Sequence, residues 1–139
     1  GFRAGFYAGD EELVPYLRLV RQHAGFMVPG PVQAAAALAY GDDEHVHVQR
    51  DRYVRRLELL SDALSHVGIV APVPDGAFYL WCSKERLDGW SLASLLAERS
   101  GLVVSPGEFY GDVSADFVRI AVVQPDERLE LAAQRLKAS

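Results

Sequence analysis

Two arginines stand out as residues able to do chemistry. Arg119 sits inside an otherwise apolar run, Phe117-Val118-Arg119-Ile120-Ala121-Val122-Val123. A guanidinium on a buried strand face is costly unless an anion meets it. Arg119 is therefore a candidate receptor for a substrate carboxylate, which its donor fork matches. The alternatives are an outward-pointing place on an edge strand, or a pairing with Asp116 or Glu108. Arg3 lies between Gly1 and Gly5 in an aromatic segment. Its fork suits a phosphate or carboxylate, and the glycines let a ligand approach the backbone. An ordinary surface arginine at a strand start explains Arg3 by spacing equally well.

The other reactive types carry less. Ser105-Pro106-Gly107-Glu108-Phe109-Tyr110-Gly111 reads as a tight, ordered loop. Lys84 follows an apolar run and invites a Schiff-base role, but Glu85 and Arg86 beside it mark a solvated loop. Cys82 is the single cysteine, so neither a disulfide framework nor a cysteine-rich metal centre is available. A lone cysteine in an apolar strand is ordinarily buried and inert. His45 and His47 are two apart and do not share a helix face, and His23 and His66 add no ligand spacing. No metal site is expected. Arg50, Arg52, Arg55 and Arg56 read as the solvated face of a charged helix.

These residues need elements to position them. At 139 residues, half of them hydrophobic and 24% charged, the chain has globular composition. The net charge of −5 argues against a nucleic-acid surface. No apolar stretch is long enough for a membrane span, and Gly1-Phe2-Arg3 lack the basic and long apolar regions expected of a signal peptide. Short apolar runs alternate with helical patterns, which predicts a mixed α/β chain. Residues 2–8 read as a short strand. Asp10 caps a helix to about Ala24, with Pro15 awkward in its second turn. Residues 26–31, with two prolines around a glycine, read as loop, and Val32–Leu38 as helix. Tyr53, Leu57, Leu60, Leu64 and Val67 line one face of a long helix ended by Gly68.

After Gly68 the pattern changes to strands at 69–71, 77–82, 102–104 and 117–123. The run 77–82 is apolar on both faces and reads as a central strand covered on both sides. Ser91 reads as the N-cap of a helix that ends near Gly101, with Trp90 and Leu95 as its hydrophobic staple. Pro125-Asp126-Glu127 opens a last helix with Leu129, Ala132, Ala133 and Leu136 on one face.

Taken in order, four segments resemble the C-terminal part of a class I/II pyridoxal-phosphate-dependent aminotransferase of fold type I. Gly1-Phe2-Arg3-Ala4-Gly5-Phe6 is similar to the segment that follows the family's cofactor-binding Ser-Lys. Gly76-Ala77-Phe78-Tyr79 resembles the entry to the small-domain strand, and Val104 to Gly111 the Pro-Gly loop near the active site. Phe117-Val118-Arg119-Ile120 resembles the strand that bears the carboxylate-binding arginine. The wording around Gly107–Gly111 and Arg3 is most similar to N-succinyldiaminopimelate aminotransferases.

The resemblance implies an α/β fold in which residues 1–68 end the large cofactor domain and residues 69–139 form the small domain. It implies pyridoxal 5'-phosphate as cofactor, Arg3 on its phosphate and Arg119 on the substrate α-carboxylate. It further implies a cytoplasmic homodimer that moves an amino group from an amino acid, glutamate first, to a keto acid. N-succinyl-diaminopimelate in lysine biosynthesis is the substrate it suggests. Pro29-Gly30-Pro31-Val32-Gln33 would lie near the dimer interface. The Schiff-base lysine would fall upstream of Gly1, so the 139 residues alone are expected not to transaminate. Two other readings share the scaffold: an aminotransferase-like effector domain of a transcription regulator, and another fold type I enzyme such as an acyltransferase or lyase.

Overall fold

The computed structural model describes residues 3–138, and the chain divides into two compact units, Gly1–His47 and Val48–Ser139. The first unit contains helices α1 (Leu13–His23) and α2 (Gly30–Tyr40). Asp10 accepts from the backbone N–H groups of Glu12 and Leu13, both at 2.9 Å, and so caps the start of α1. α1 begins later than the sequence suggests, which moves Pro15 into its first turn. The N–H groups of Val14 and Tyr16 donate to the carbonyls of Asp10 and Glu12, so the bond to Glu11 between them is the one that Pro15 cannot make, as expected of it. The loop expected over 26–31 is shorter. Pro31 lies at the start of α2, and Pro29 is its N-cap.

The strand expected at 2–8 is not found among the described residues, because 3–8 have no backbone partner; Gly1 and Phe2 lie outside them. Neither α1 nor α2 buries a residue. Leu13, Tyr16, Leu17 and Val20 of α1 are all exposed, as is Leu38 of α2.

The second unit holds the core. α3 (Glu44–His66) buries Leu57, Leu60, Ala63 and Leu64 in the stripe that the 3.6-residue period requires. Gly68 ends it in the left-handed region at φ +72. Its N–H donates to the Ser65 carbonyl, and the N–H of Ile69 to that of Leu64, which satisfies two orphan carbonyls. The remaining elements are β1 (Tyr79–Ser83), α4 (Gly89–Ser100), β2 (Ser105–Pro106), β3 (Phe117–Ala121) and α5 (Asp126–Lys137). The sheet is antiparallel in the order β1-β3-β2.

One face of it buries Leu80, Cys82, Val118 and Ile120 in the cluster formed with α3, α4 and α5. On the opposite face Tyr79, Trp81, Phe117 and Arg119 remain half-buried. β1 is therefore an edge strand covered on one face, not a central strand covered on both. Its apolar second face is aromatic rather than buried.

Other expectations shift in smaller ways. Only Val70 of the segment 69–71 pairs, in a bridge to Ser83. Residues 102–104 do not pair; the edge strand is Ser105–Pro106, one step later. Asp88, not Ser91, caps α4, accepting from the Ser91 N–H at 2.7 Å. This bond holds the Asp88 carboxyl below its ordinary range. Leu87 and Leu92 thereby take the staple positions, and both pack in the core cluster. α5 buries Leu129, Ala132, Ala133 and Leu136 as expected. Arg56 is not a solvated arginine: its side chain is 12% exposed, pairs with Asp126 and donates to the Val122 carbonyl. It ties α3 to the start of α5.

Candidate carboxylate site

Arg119 lies on the central strand, which excludes the edge alternative. It faces Trp81 of β1 on one side and Ser105 of β2 on the other. The two-residue period places Tyr79, Trp81 and Arg119 on the same face of the sheet. Tyr79 is the diagonal neighbour of Arg119, within reach of a long side chain. The guanidinium carbon lies 4.2 Å from the Tyr79 ring centroid and 4.6 Å from that of Tyr110. Trp81 stacks on Phe117 at 5.5 Å and meets Tyr110 edge-on at 5.7 Å. Arg119 thus sits among aromatic rings.

Among the described residues no carboxylate pairs with Arg119. Neither Glu108 nor Asp116 is engaged with it: Glu108 accepts from the Trp90 indole at 2.9 Å, and Asp116 makes no ion pair among the described residues. The Arg119 Nε is buried without a hydrogen-bond partner. An unmatched buried donor costs its desolvation; the rest of this half-buried guanidinium has no carboxylate partner among the described residues, and its fork suits an incoming one.

The loop after β2 is held by backbone contacts that exclude side chains. Residues 107–110 and 112–114 form two 3-10 turns rather than the simple turn read from the sequence. A Cβ on Gly107 would stand 1.9 Å from the Ser114 carbonyl oxygen. One on Gly89 would stand 2.3 Å from that of Phe117. The Gly89 N–H donates to the Ala115 carbonyl at 2.7 Å. These contacts fix Tyr110 relative to β3, and Gly107 and Gly89 are glycines because nothing larger fits.

Arg3 belongs to the first unit. It is exposed, carries no ion pair among the described residues, and has a φ of +56, unusual for a residue other than glycine. An added Cβ at Gly5 would meet nothing within 4 Å, so the backbone beside Arg3 is open to a ligand. An unpaired, permanently charged fork on an open backbone fits a phosphate dianion.

The remaining candidates have structural partners. Lys84 is half-buried and donates to the Val67 carbonyl at the end of α3, so the solvated loop expected for it is a helix cap. Lys137 pairs with Asp62 at 2.6 Å. Both lysines of the chain therefore have partners within the second unit. Cys82 is fully buried, and burial pushes its thiol up to about 12. We expect no labelling of Cys82 by iodoacetamide at pH 8 in the native protein and complete labelling in denaturant; fast native labelling would contradict this core placement. His45 lies 3.1 Å from Asp42, and His66 meets the Asp62 carbonyl. Among the described residues no group of three or more His, Cys, Asp or Glu is placed to hold a metal, and no helix is long and apolar enough to cross a membrane.

Sequence reasoning missed Tyr79 and Tyr110. Each stood in a segment already singled out, but it takes the register of β1 on β3 to bring Tyr79 to Arg119, and the 3-10 turn after β2 to bring Tyr110.

Comparisons with known proteins bear on this geometry. The family model for aminotransferase class I and II matches residues 1–136. A probable aminotransferase of Mycobacterium tuberculosis is 46% identical over 98% of this chain and 32% of its own length. The 4-dedimethylamino-4-oxo-anhydrotetracycline transaminase of Streptomyces rimosus is 43% identical over 98% of this chain and 37% of its own. The structure of N-succinyldiaminopimelate aminotransferase from Mycobacterium tuberculosis superposes with a TM-score of 0.77. It does so at 24% identity over 94% of this chain and 36% of that one, a likeness of fold. The chain spans about a third of the length of these relatives.

Proposed function

The chain belongs to the class I and II aminotransferase family, which is pyridoxal-phosphate-dependent and of fold type I. From that premise we propose that the full-length protein transfers an amino group between an amino acid and a keto acid. The observation that carries this reading is Arg119, a central-strand guanidinium with a buried, partnerless Nε and no carboxylate partner among the described residues. Arg119 takes the substrate carboxylate and so fixes which face of the substrate Cα meets the cofactor. Arg3 takes the cofactor phosphate. Pyridoxal phosphate, when bound, supplies the electron sink that makes the Cα proton removable.

Lys84 and Lys137 have structural partners, so neither is our candidate for the lysine that holds the cofactor. Residues 69–139 form the small domain and the large domain ends within 1–68, with the core-packed part of α3 from Val48 onward grouping with the small domain rather than the large one. The full-length protein acts as a cytoplasmic homodimer. Glutamate is the first donor to test, with the keto counterpart of N-succinyl-diaminopimelate as acceptor and N-succinyl-diaminopimelate as the amino product, on the strength of the Gly107–Gly111 resemblance. The Streptomyces relative, named for a tetracycline intermediate, makes a polycyclic ketone the competing acceptor.

Two measurements test the reading. Purified full-length protein with pyridoxal phosphate should convert glutamate and an acceptor keto compound to 2-oxoglutarate and the amino product. Failure with every donor and acceptor pair in a broad panel would overturn it. Arg3→Ala should weaken cofactor retention, read as lower visible absorbance per protomer after dialysis; wild-type retention would remove Arg3 from the phosphate site.

A further inference from the structure

We propose that Tyr79 and Tyr110 are positioning residues that clamp the Arg119 guanidinium between the edge strand and the Pro-Gly loop. They hold its fork in the orientation that receives a substrate carboxylate. The proposal rests on the carboxylate role of Arg119 and deepens it.

An arginine side chain has four rotatable bonds, and an unpaired guanidinium is free to wander. Arg119 has no ion pair to hold it among the described residues. What it has is two ring centroids within 5 Å of its guanidinium carbon. A ring face attracts a cation without using its N–H groups. The donors therefore stay available for an anion, whereas a carboxylate partner would occupy them. The two rings are themselves held. Tyr79 packs on Phe78 at 4.4 Å, and Phe78 stacks on Tyr53 of α3 at 5.3 Å. Tyr110 meets the Trp81 edge, and its loop is locked by Gly107 against Ser114. Tyr110 remains 45% exposed, so filling the core does not explain it.

The test uses the full-length enzyme with glutamate as donor. Tyr79→Leu and Tyr110→Leu should each raise KM about three- to thirtyfold, with kcat and cofactor absorbance within about twofold of wild type. Tyr79→Phe and Tyr110→Phe keep the ring face and should stay within about twofold on both. Leu variants with wild-type KM, beside an Arg119→Ala enzyme whose KM rises, would overturn the clamp and leave the carboxylate role standing. An unchanged KM in Arg119→Ala would instead remove the role itself. Phe variants as impaired as the Leu variants would assign the effect to the hydroxyls and also overturn the clamp. If Tyr79→Leu does not fold, the half-exposed Tyr110 decides the question alone.

Discussion

Arg119→Ala in the full-length protein should raise KM for the amino acid from roughly thirtyfold to a few thousandfold, while the cofactor stays bound. The range follows from the about 2–5 kcal/mol lost when one partner of a desolvated, hydrogen-bonded charge pair is truncated. The loss belongs near the upper end. The Arg119 Nε is buried and partnerless, so the site has already borne the desolvation that a carboxylate would offset. The register supports this further. Arg119 is flanked by Trp81 and Ser105 on both neighbouring strands, and its guanidinium carbon lies within 5 Å of two ring centroids. Arg119→Lys should recover little, since a point charge does not reproduce a two-pronged contact. The measurement is steady-state kinetics with cofactor absorbance recorded on the same preparations. A KM within threefold of wild type would contradict the assignment.

Gly107→Ala is expected to have the largest effect on stability. The added Cβ would stand 1.9 Å from the Ser114 carbonyl oxygen and 2.9 Å from that of Phe117. Both are backbone atoms, so no side chain can swing away. Overpacking a tight site commonly costs about 1–3 kcal/mol, and a clash with two backbone carbonyls sits at or above the top of that range. The same movement would displace Tyr110 and the Ser105–Arg119 pairing, so KM should rise along with the loss of stability. Gly76→Ala is the control: nothing lies within 4 Å of its added Cβ, and its melting temperature should barely move. Thermal unfolding of the two variants decides this. Equal melting temperatures would mean that the Gly107 contact is not the constraint described.

The helices of the second unit were legible in the sequence because one period governs them. Leu57, Leu60 and Leu64 could only be a buried stripe, and Gly68 and Gly101 could only be ends. Arg119 was legible too, since a charge in an apolar strand demands a reason. Strand order was not. The run 77–82 is apolar at every position, and alternation cannot tell a second face packed under helices from one covered with aromatic rings around an arginine. Residues 102–104 have strand propensity, yet it is Ser105 and Pro106 that pair, because only they lie alongside β3. Asp88 over Ser91 and Pro15 in the first turn are shifts of a few residues, which local preferences do not resolve. The clamp tyrosines lie far apart in sequence, and nothing local links them.

The carboxylate role of Arg119 is tested most directly by asking whether the enzyme still distinguishes an acid from its amide when that residue is gone. The measurement is kcat/KM for glutamate and for its α-carboxamide in wild type and in Arg119→Ala. The account expects a wild-type preference for the acid of a hundredfold or more, from the few kcal/mol of a two-pronged charged contact, and its collapse to within a fewfold in the variant. An equally strong preference in both proteins would show that another group reads the carboxylate and would contradict the account.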